Sequence, residues 1–184
     1  MMRAIAFAVQ AICALNGLLG RIFSFFALGI VLVCFAVVVM RYAFNTGSVP
    51  MQDLYLWLNG MMFMGIAGYT LMKDGHVRVD IFYREARLRT KAVLDLIGCV
   101  FFVAPFLWVV ADQGYPYVAR SWALREGSAN VGGLPGLYVL KSFVLVFVVT
   151  VGLQALAMAL RSVLVLRGRE DLVPPVFRYP AAEA

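Results

Sequence analysis

Charged residues are scarce in this sequence, and their scarcity excludes most classes of soluble protein. Only 14% of the 184 residues are charged, whereas 63% are apolar. An ordinary soluble domain has about 25% charged and about 45–50% apolar residues. A soluble chain of this size buries only about 70% of the surface that its unfolded form exposes, so it could not hide so much apolar surface. Disordered chains are polar and poor in aromatic residues, which excludes disorder and leaves the membrane class.

Histidine and cysteine are also scarce. His76 is the only histidine, so the chain cannot ligate a haem through two of its own histidines. Cys13, Cys34 and Cys99 lie far apart in apolar stretches, with neither metal-type spacing nor a pattern typical of disulfides. No nucleophile or set of metal ligands accompanies His76. We therefore expect no catalytic residue, no metal site and no cofactor, and we do not expect an enzyme.

Long apolar runs without charge dominate the rest of the sequence. A hydrocarbon core about 30 Å thick needs about 20 helical residues, and three of the runs have 19. The third run is shorter, so its helix is expected to continue past Asp112. A soluble helix bundle would keep a polar stripe on each helix, and these runs have none. The predicted fold is an all-α membrane protein, a single domain over 1–184, with spans at about 22–40, 54–72, 96–118 and 142–160.

The two ends of the chain need separate interpretations. Residues 4–15 are apolar but too short to span, and Asn16-Gly17 weakens a helix at that point. We predict a short N-terminal interfacial helix that leads into the first span. The tail, residues 167–184, is charged and then rich in proline, and is expected to be loosely ordered.

The distribution of basic residues predicts the orientation in the membrane. The formal net charge is +6, which in a soluble protein would suggest nucleic acid as a partner. Here four spans would place twelve of the 16 Lys and Arg residues on the side of both termini and four on the other side. Cytoplasmic loops carry an excess of Lys and Arg, so both termini are expected in the cytoplasm and residues 112–141 outside. We expect no nucleic-acid partner.

The spans themselves contain few polar residues. Asn59 and Gln154 are the amides in the charge-free runs, and we expect them to pack helices together through hydrogen bonds. No ionisable pathway of the kind found in transporters is visible, and Pro105 is expected to distort its helix. Small residues in the second and fourth spans would let another helix approach closely, either of this chain or of a partner: Gly65, Gly68, Gly152, Ala155 and Ala159.

Polar residues cluster in the two longer loops. After the second span, Asp74, Gly75, His76, Arg78 and Asp80 are expected to organise structure and partner contact, with Gly75 permitting the turn that ends the helix. The residues predicted to contact lipid headgroups from one helical face are Arg84, Arg87 and Lys91. In the outer loop, the residues predicted to contact a partner are Arg120, Trp122, Arg125 and Glu126. The alternative for this loop is a simple cap that touches lipid headgroups.

Several short motifs occur in a characteristic order along the chain. They are Arg41-Tyr42-x-Phe44, Asp53, Asp74-Gly75-His76-Val77-Arg78-Val79-Asp80, Ser121-Trp122, Glu126-Gly127-Ser128 and Gly133-Leu134-Pro135. In this order they resemble the small membrane subunit, of the DctQ type, of a tripartite ATP-independent periplasmic (TRAP) transporter. The resemblance extends from about Leu18 to Leu166.

This resemblance implies four transmembrane helices in the bacterial inner membrane, with both ends in the cytoplasm. It implies two protein partners: a large membrane subunit that holds the sodium and substrate sites, and a periplasmic solute-binding protein that delivers an organic acid. The chain itself would be a non-catalytic scaffold in this sodium-coupled transporter, in contact with membrane lipids. Asp53 and the motif from Asp74 to Asp80 would belong to its structural and partner-binding residues.

Two other functions remain as alternatives. A membrane-anchor subunit of a respiratory or other membrane complex would also have four helices with cytoplasmic ends, but would usually carry several intramembrane histidines. A small self-sufficient exporter would oligomerise around a charged site in the membrane. Identification of the proteins or cofactors that purify with the chain would distinguish these alternatives from the transporter subunit.

Overall fold

Four long helices form most of the part of the molecule that the structure describes. The computed structural model describes residues 2–76, 83 and 86–179, and every regular element within these residues is helical. The helices are α1 (Met2–Phe44), α2 (Val49–Met72), α3 (Leu88–Ala123) and α4 (Leu137–Leu166). Two short 3₁₀ turns follow, Glu170–Leu172 and Pro175–Phe177. The predicted all-α fold is confirmed.

Helix α4 is the centre of the bundle, because it contacts each of the other three helices. Helix α2 packs against both α1 and α4. Glycines allow the closest approaches: a Cβ atom at Gly65 would collide with the ring of Phe23, and one at Gly68 would collide with Asn16 and Thr150. These small residues of the second span therefore serve packing within this chain.

Three helices in the described part of the chain are long and apolar enough to cross a membrane, namely α1, α3 and α4. Helix α2 has 24 residues, or about 36 Å, which is also sufficient length. It is less apolar because it includes Gln52, Asp53 and Asn59. Most ends of the helices lie beyond the predicted spans. Most of these spans are bounded by charged residues, and a charged residue outside the hydrocarbon core does not by itself end a helix.

The N-terminal segment does not form a separate interfacial helix, and that prediction is wrong. Helix α1 continues without a break through Asn16-Gly17 over 43 residues. The Asn16 amide donates hydrogen bonds to the backbone oxygen of Thr150 at 3.3 Å and to Oε1 of Gln154 at 2.9 Å. A glycine inside a helix costs about 1 kcal/mol relative to alanine, and packing of α1 against α4 offsets this cost.

Helix α3 contains the distortion expected near Pro105. A π-helical turn, Cys99–Val103, joins the α-helical parts Leu88–Gly98 and Ala104–Ala123. The N–H of Ala104 bonds to the oxygen of Cys99, five residues back. Proline has no N–H to donate and its ring crowds the preceding turn, so a local change in the hydrogen-bond ladder is the expected response.

The sequence predicts a loosely ordered C-terminal tail. Up to residue 179, the structure instead shows the tail packed against the helix bundle. Val173, Phe177 and Tyr179 are buried and belong to the core. Arg178 donates from Nε to the backbone oxygen of Val173 at 3.0 Å, which fixes the turn between them. Apolar residues between the prolines thus anchor the tail to the bundle. Residues 180–184 lie outside the described part.

Candidate assembly sites at the two ends of the helix bundle

The first site is built around Asp53, in the first turns of α2. Ser48 caps this helix, since its side chain accepts a hydrogen bond from the N–H of Met51 at 3.4 Å. Asp53 is buried, with 2% of its surface exposed. Its carboxylate accepts hydrogen bonds from Asn130 Nδ2 at 2.7 Å and from the N–H of Leu134 at 2.9 Å. The carboxylate therefore fastens the loop before α4 to the start of α2.

Gly133 makes this arrangement possible. A Cβ atom at this position would collide with Oδ2 of Asp53 and with the side chain of Ser128. The loop also folds back on itself, because the N–H of Ser128 donates to the oxygen of Leu134 at 2.9 Å. Three motifs that are far apart in the sequence, at 53, 126–128 and 133–135, thus form one structural unit.

A second set of polar contacts closes the same loop. Glu126 Oε2 accepts hydrogen bonds from Ser121 Oγ at 2.6 Å and from Lys141 Nζ at 2.5 Å. The ammonium group of Lys141 also lies 4.2 Å from the centre of the Tyr117 ring. Trp122 donates from Nε1 to Ser142 Oγ at 2.8 Å. Glu126 and Trp122, both predicted as partner contacts, hold α3 and α4 together within this chain.

Hydrogen bonds favour the charged forms of three side chains at this end of the bundle. Hydrogen bonds from Ser128 and from the N–H of Leu134 hold the pKa of Asp53 below its ordinary value of 3.8. The hydrogen bond from Lys141, followed by that from Ser121, likewise lowers the pKa of Glu126 from 4.5. The hydrogen bond to Glu126 raises the pKa of Lys141 above its ordinary value. Two carboxylates and one ammonium group are therefore charged at this end of the bundle at neutral pH.

An outward surface remains on this loop. Arg120 and Arg125 are exposed, and Arg125 adopts a left-handed backbone conformation with φ of 44°. Leu124 and Val131 are exposed to 70% and 97%. We predicted the two arginines from the sequence but missed the two apolar residues, because a single Leu or Val in a polar loop carries no distinctive pattern. Arginine is among the residues that are enriched where one protein meets another.

At the other end of the bundle, the motif after α2 ends that helix. The N–H of Gly75 bonds to the oxygen of Thr70 at 2.9 Å, and the N–H of Asp74 bonds to that of Leu71 at 3.3 Å. This is a Schellman ending, in which Asp74 with φ of 54° takes the left-handed position. His76 Nε2 lies 3.4 Å from the oxygen of Ala67.

Gly75 also has a role in this ending, although it is not the left-handed residue. A Cβ atom at Gly75 would lie 2.9 Å from Cγ2 of Thr70, so the absence of a side chain lets the chain turn back over the helix. Gly75 therefore lies at the turn that ends α2, as predicted, but Asp74 is the residue that adopts the left-handed conformation. The other predicted members of this motif, Arg78 and Asp80, lie outside the described residues.

A buried ionic cluster near the same end was missed by sequence reasoning. Arg161 of α4 donates from Nη2 to Oδ2 of Asp95 on α3 at 2.6 Å, with 1% and 7% of the two side chains exposed. Its Nη1 donates to the backbone oxygen of Phe177 at 3.1 Å. Tyr179 and Tyr83 donate to the same carboxylate oxygen at 2.9 and 3.1 Å. The cluster therefore ties α3, α4 and the tail together.

Aromatic rings complete the surroundings of Arg161. Its central carbon lies 4.2 Å from the ring centre of Phe177 and 4.0 Å from that of Tyr179. Burial, more than any other cause, raises the pKa of Tyr179 to about 12, so this tyrosine stays neutral and donates. The sequence did hold a signal for this cluster: residues of opposite charge stand at the cytoplasmic ends predicted for the third and fourth spans.

The predicted lipid-contact residues have different positions in the structure. Lys91 is buried, with 5% exposed, and its ammonium group lies 5.7 Å from the centre of the Tyr83 ring. A contact of Lys91 with lipid headgroups does not fit this burial, because an aromatic ring and the helix bundle cover it. Arg87 is exposed at the start of α3, and Arg84 lies outside the described residues.

The two amides expected to join helices behave differently. Gln154 is fully buried and accepts the hydrogen bond from Asn16, which confirms its packing role and identifies an unexpected partner in α1. Asn59 is exposed on the outside of α2, and in the described part of the chain its amide has no hydrogen-bonding partner. Leu56 and Phe63, 55% and 64% exposed, lie on the same side of the helix by their spacing.

Comparison with known protein families decides the class of this chain. A family model described as "Tripartite ATP-independent periplasmic transporters, DctQ component" matches residues 30–165. The chain belongs to the DctQ family. The resemblance found in the sequence motifs is thereby confirmed. No curated protein and no solved structure matches the chain.

The part of the chain that matches the DctQ family contains most of both sites. Asp53, Glu126, Asp95 and Arg161 all lie within residues 30–165. Asn16, which pairs with Gln154, lies outside that range. So do the tail residues Phe177 and Tyr179, which complete the ionic cluster. As a DctQ protein, the chain is a component of a membrane transporter.

The described part of this DctQ chain holds no group of three or more His, Cys, Asp or Glu residues able to bind a metal ion. Most of the buried or half-buried polar residues at both ends, among them Asp53, Glu126, Asp95 and Arg161, are instead engaged with protein groups. Such an arrangement fixes helices and loops in place.

Proposed function

We propose that this chain is the non-catalytic small subunit of a sodium-coupled TRAP transporter. In this role it scaffolds the large membrane subunit in the bacterial inner membrane, for uptake of an organic acid that a periplasmic binding protein delivers. Membership of the DctQ family supports this proposal. In this proposal the large subunit carries the sodium and substrate sites. The charge-free apolar runs of this chain support that division, because they contain none of the Asp, Glu, Lys, Arg or His residues that ordinarily mark transport pathways.

The observation that carries the proposal is the outward face of α2, formed by Leu56, Asn59 and Phe63. Asn59 lies near the middle of a 24-residue helix, where lipid would offer its amide no hydrogen bond. An amide in hydrocarbon without a partner is unfavourable, so a polar group on another helix is the expected contact. We assign this face of α2 to the large subunit.

Co-purification tests this assignment. The chain is expressed with the large TRAP subunit, the large subunit carries the affinity tag, and the amount of small subunit retained is measured. Asn59→Trp should strongly reduce retention, because the indole adds bulk at the contact and removes the amide. The matched control is Val109→Trp, on the exposed side of α3, which should be retained like the wild type. Equal retention of the two variants would show that this face is not the contact.

The proposed arrangement has four spans, with α2 as the second, and both termini in the cytoplasm. The charge distribution supports it, since four spans would place twelve basic residues on the side of both termini and four on the other side. A single cysteine in place of Asn130, in a background without Cys13, Cys34 and Cys99, tests it. A membrane-impermeant thiol reagent should label this position from the periplasm. Labelling only from the cytoplasm would contradict the orientation.

The outer loop is proposed to meet the solute-binding protein. The exposed group of Arg120, Leu124, Arg125 and Val131 supports this, since Trp122 and Glu126 are engaged within the chain. Charge reversal of Arg120 and Arg125 together should reduce uptake driven by the binding protein while expression and assembly stay normal. Unchanged uptake would mean that the loop only caps the bundle.

A further inference from the structure

A groove on the side of the bundle combines apolar walls with two cationic side chains. It has a volume of about 920 Å³, and lies between α1, the C-terminal end of α2 and the 3₁₀ turn Pro175–Phe177. Leu18, Phe25 and Met72 line the apolar part, and Arg21 and Lys73 line the same groove. Pockets that take small ligands have volumes of about 300–1,000 Å³. The groove is therefore large enough for a ligand with an apolar part and an anionic part.

Arg21 has an unusual position in the sequence. It is the single charged residue between Ala4 and Met40, a helical stretch of 37 residues with a length of about 55 Å. This length exceeds the hydrocarbon thickness of about 30 Å, so a charge near its middle lies within or close to the bilayer. A cation there needs an anionic partner or a path for its head group to the membrane surface.

Protein groups in the described part of the chain do not supply that partner. No ion pair connects Arg21 or Lys73 to an acidic side chain there, and the residues that line the groove include no Asp or Glu. The polar lining residue Ser24 is engaged with its own helix, since it donates to the oxygen of Gly20 at 2.6 Å. Two cations thus face a groove with no negative charge of its own.

We propose that this groove binds an anionic glycerophospholipid of the cytoplasmic leaflet, such as phosphatidylglycerol. Its phosphate would lie between Arg21 and Lys73, and its acyl chains would pack on Leu18, Phe25 and Met72. Charge complementarity and the amphipathic lining favour a lipid over a soluble anion, which would leave the apolar walls exposed to water. The tail residues Pro174, Pro175 and Val176 form a further wall, so the bound lipid would also contact the C-terminal segment.

Lipid retention by the full chain tests this proposal. The purified protein in detergent is titrated with phosphatidylglycerol or with phosphatidylcholine of the same acyl chains, and bound lipid is counted by native mass spectrometry. The wild type should prefer phosphatidylglycerol. The double variant Arg21→Gln with Lys73→Gln should lose affinity for it, by about fivefold for each charge removed. The matched control, Arg41→Gln with Arg89→Gln, removes two exposed charges that do not line the groove and should bind like the wild type.

Two further arms separate the possible explanations. Ala14→Trp fills the groove without a change of charge, and Ala14 is exposed, so the variant should fold normally and still lose the lipid. Excess inorganic phosphate should leave binding unchanged if the acyl chains contribute. The proposal is overturned if Ala14→Trp retains phosphatidylglycerol, if both lipids bind equally to the wild type, or if phosphate displaces the lipid.

Discussion

Arg161 and Asp95 form an ion pair with 2.6 Å between Nη2 and Oδ2, and both side chains are buried. They belong to different helices, α4 and α3, and Tyr179 of the tail donates to the same carboxylate. Taking a charged pair out of water is costly, and further hydrogen bonds from two tyrosines and to the oxygen of Phe177 offset part of this cost. Nε of Arg161 has no hydrogen-bonding partner in the described part of the chain. The pair therefore acts as the connection between α3, α4 and the tail.

Loss of one member of this pair should destabilise the protein. Asp95→Asn leaves the guanidinium group of Arg161 buried without a counter-charge, which costs about 3–5 kcal/mol in comparable buried pairs. The apparent melting temperature is measured in detergent, by heating samples and quantifying the remaining folded protein by size-exclusion chromatography.

The exposed pair of Arg169 and Asp171 supplies the matched control. These side chains are 45% and 64% exposed, so solvent screens them, and Asp171→Asn should leave the melting temperature unchanged. The double variant Asp95→Leu with Arg161→Met should be more stable than Asp95→Asn alone, because no charge is left buried. A melting temperature of Asp95→Asn equal to that of the wild type would contradict this role of the pair.

Gly133→Ala should disrupt the outer loop. The added Cβ would collide with the Asp53 carboxylate and with Ser128, so the loop must move and the hydrogen bonds to Asp53 are weakened. Overpacking of this kind costs about 1–3 kcal/mol. Gly127→Ala is the matched control, because its Cβ would make only ordinary contacts at 3.9 Å. Faster hydrogen exchange over residues 126–136 in Gly133→Ala alone is expected, and equal exchange in both variants would refute the close contact.

Acid should weaken the same loop. The pKa values of Asp53 and Glu126 are lowered in the folded protein, so their stabilising effect is complete above their ordinary values of 3.8 and 4.5. It is lost as the pH falls through the lowered folded values. The melting temperature should therefore begin to drop as the pH falls towards these ordinary values and continue to drop below 3.8, and the drop should be smaller in Asp53→Asn. A control variant at the exposed Asp112, Asp112→Asn, should keep the full pH dependence.

Asn16→Leu should loosen α1 from α4. The substitution removes the donor to Gln154 and leaves that buried amide without its partner, which costs about 1–3 kcal/mol. The matched control is Gln10→Leu on the same helix, because Gln10 is exposed. Proteolysis of the N-terminal part of α1 should become faster in Asn16→Leu only. If Gln10→Leu has the same effect, loss of the hydrogen bond is not the cause.

The sequence was sufficient to predict the helical class and the approximate location of the helices, because a charge-free apolar run of about 20 residues is what a membrane-spanning helix requires. It also identified Asp53 and the Gly133-Leu134-Pro135 segment as important, through the family resemblance. It could not show that they touch, since 80 residues separate Asp53 from Gly133 and only the folded chain brings them together.

Asp95 and Arg161 illustrate a different limit. In the sequence each marks the edge of an apolar run, and a residue at such an edge is ordinarily solvated. Burial came from the tail, whose residues Phe177 and Tyr179 cover the pair. The continuity of α1 through Asn16-Gly17 was equally hidden, because it depends on the contact with Gln154 in α4. A hydrogen bond between distant helices cannot be predicted from the helix propensity of the residues around Asn16.

In the proposed function, this chain supports transport without carrying the solute itself. Reconstitution in proteoliposomes tests it most directly, with a sodium gradient, the solute-binding protein and a radiolabelled organic acid. Three preparations are compared: this chain alone, the large TRAP subunit alone, and both together. Uptake is expected only with both subunits, and Asn59→Trp should reduce it. Uptake by this chain alone, or full uptake by the large subunit without it, would contradict the account.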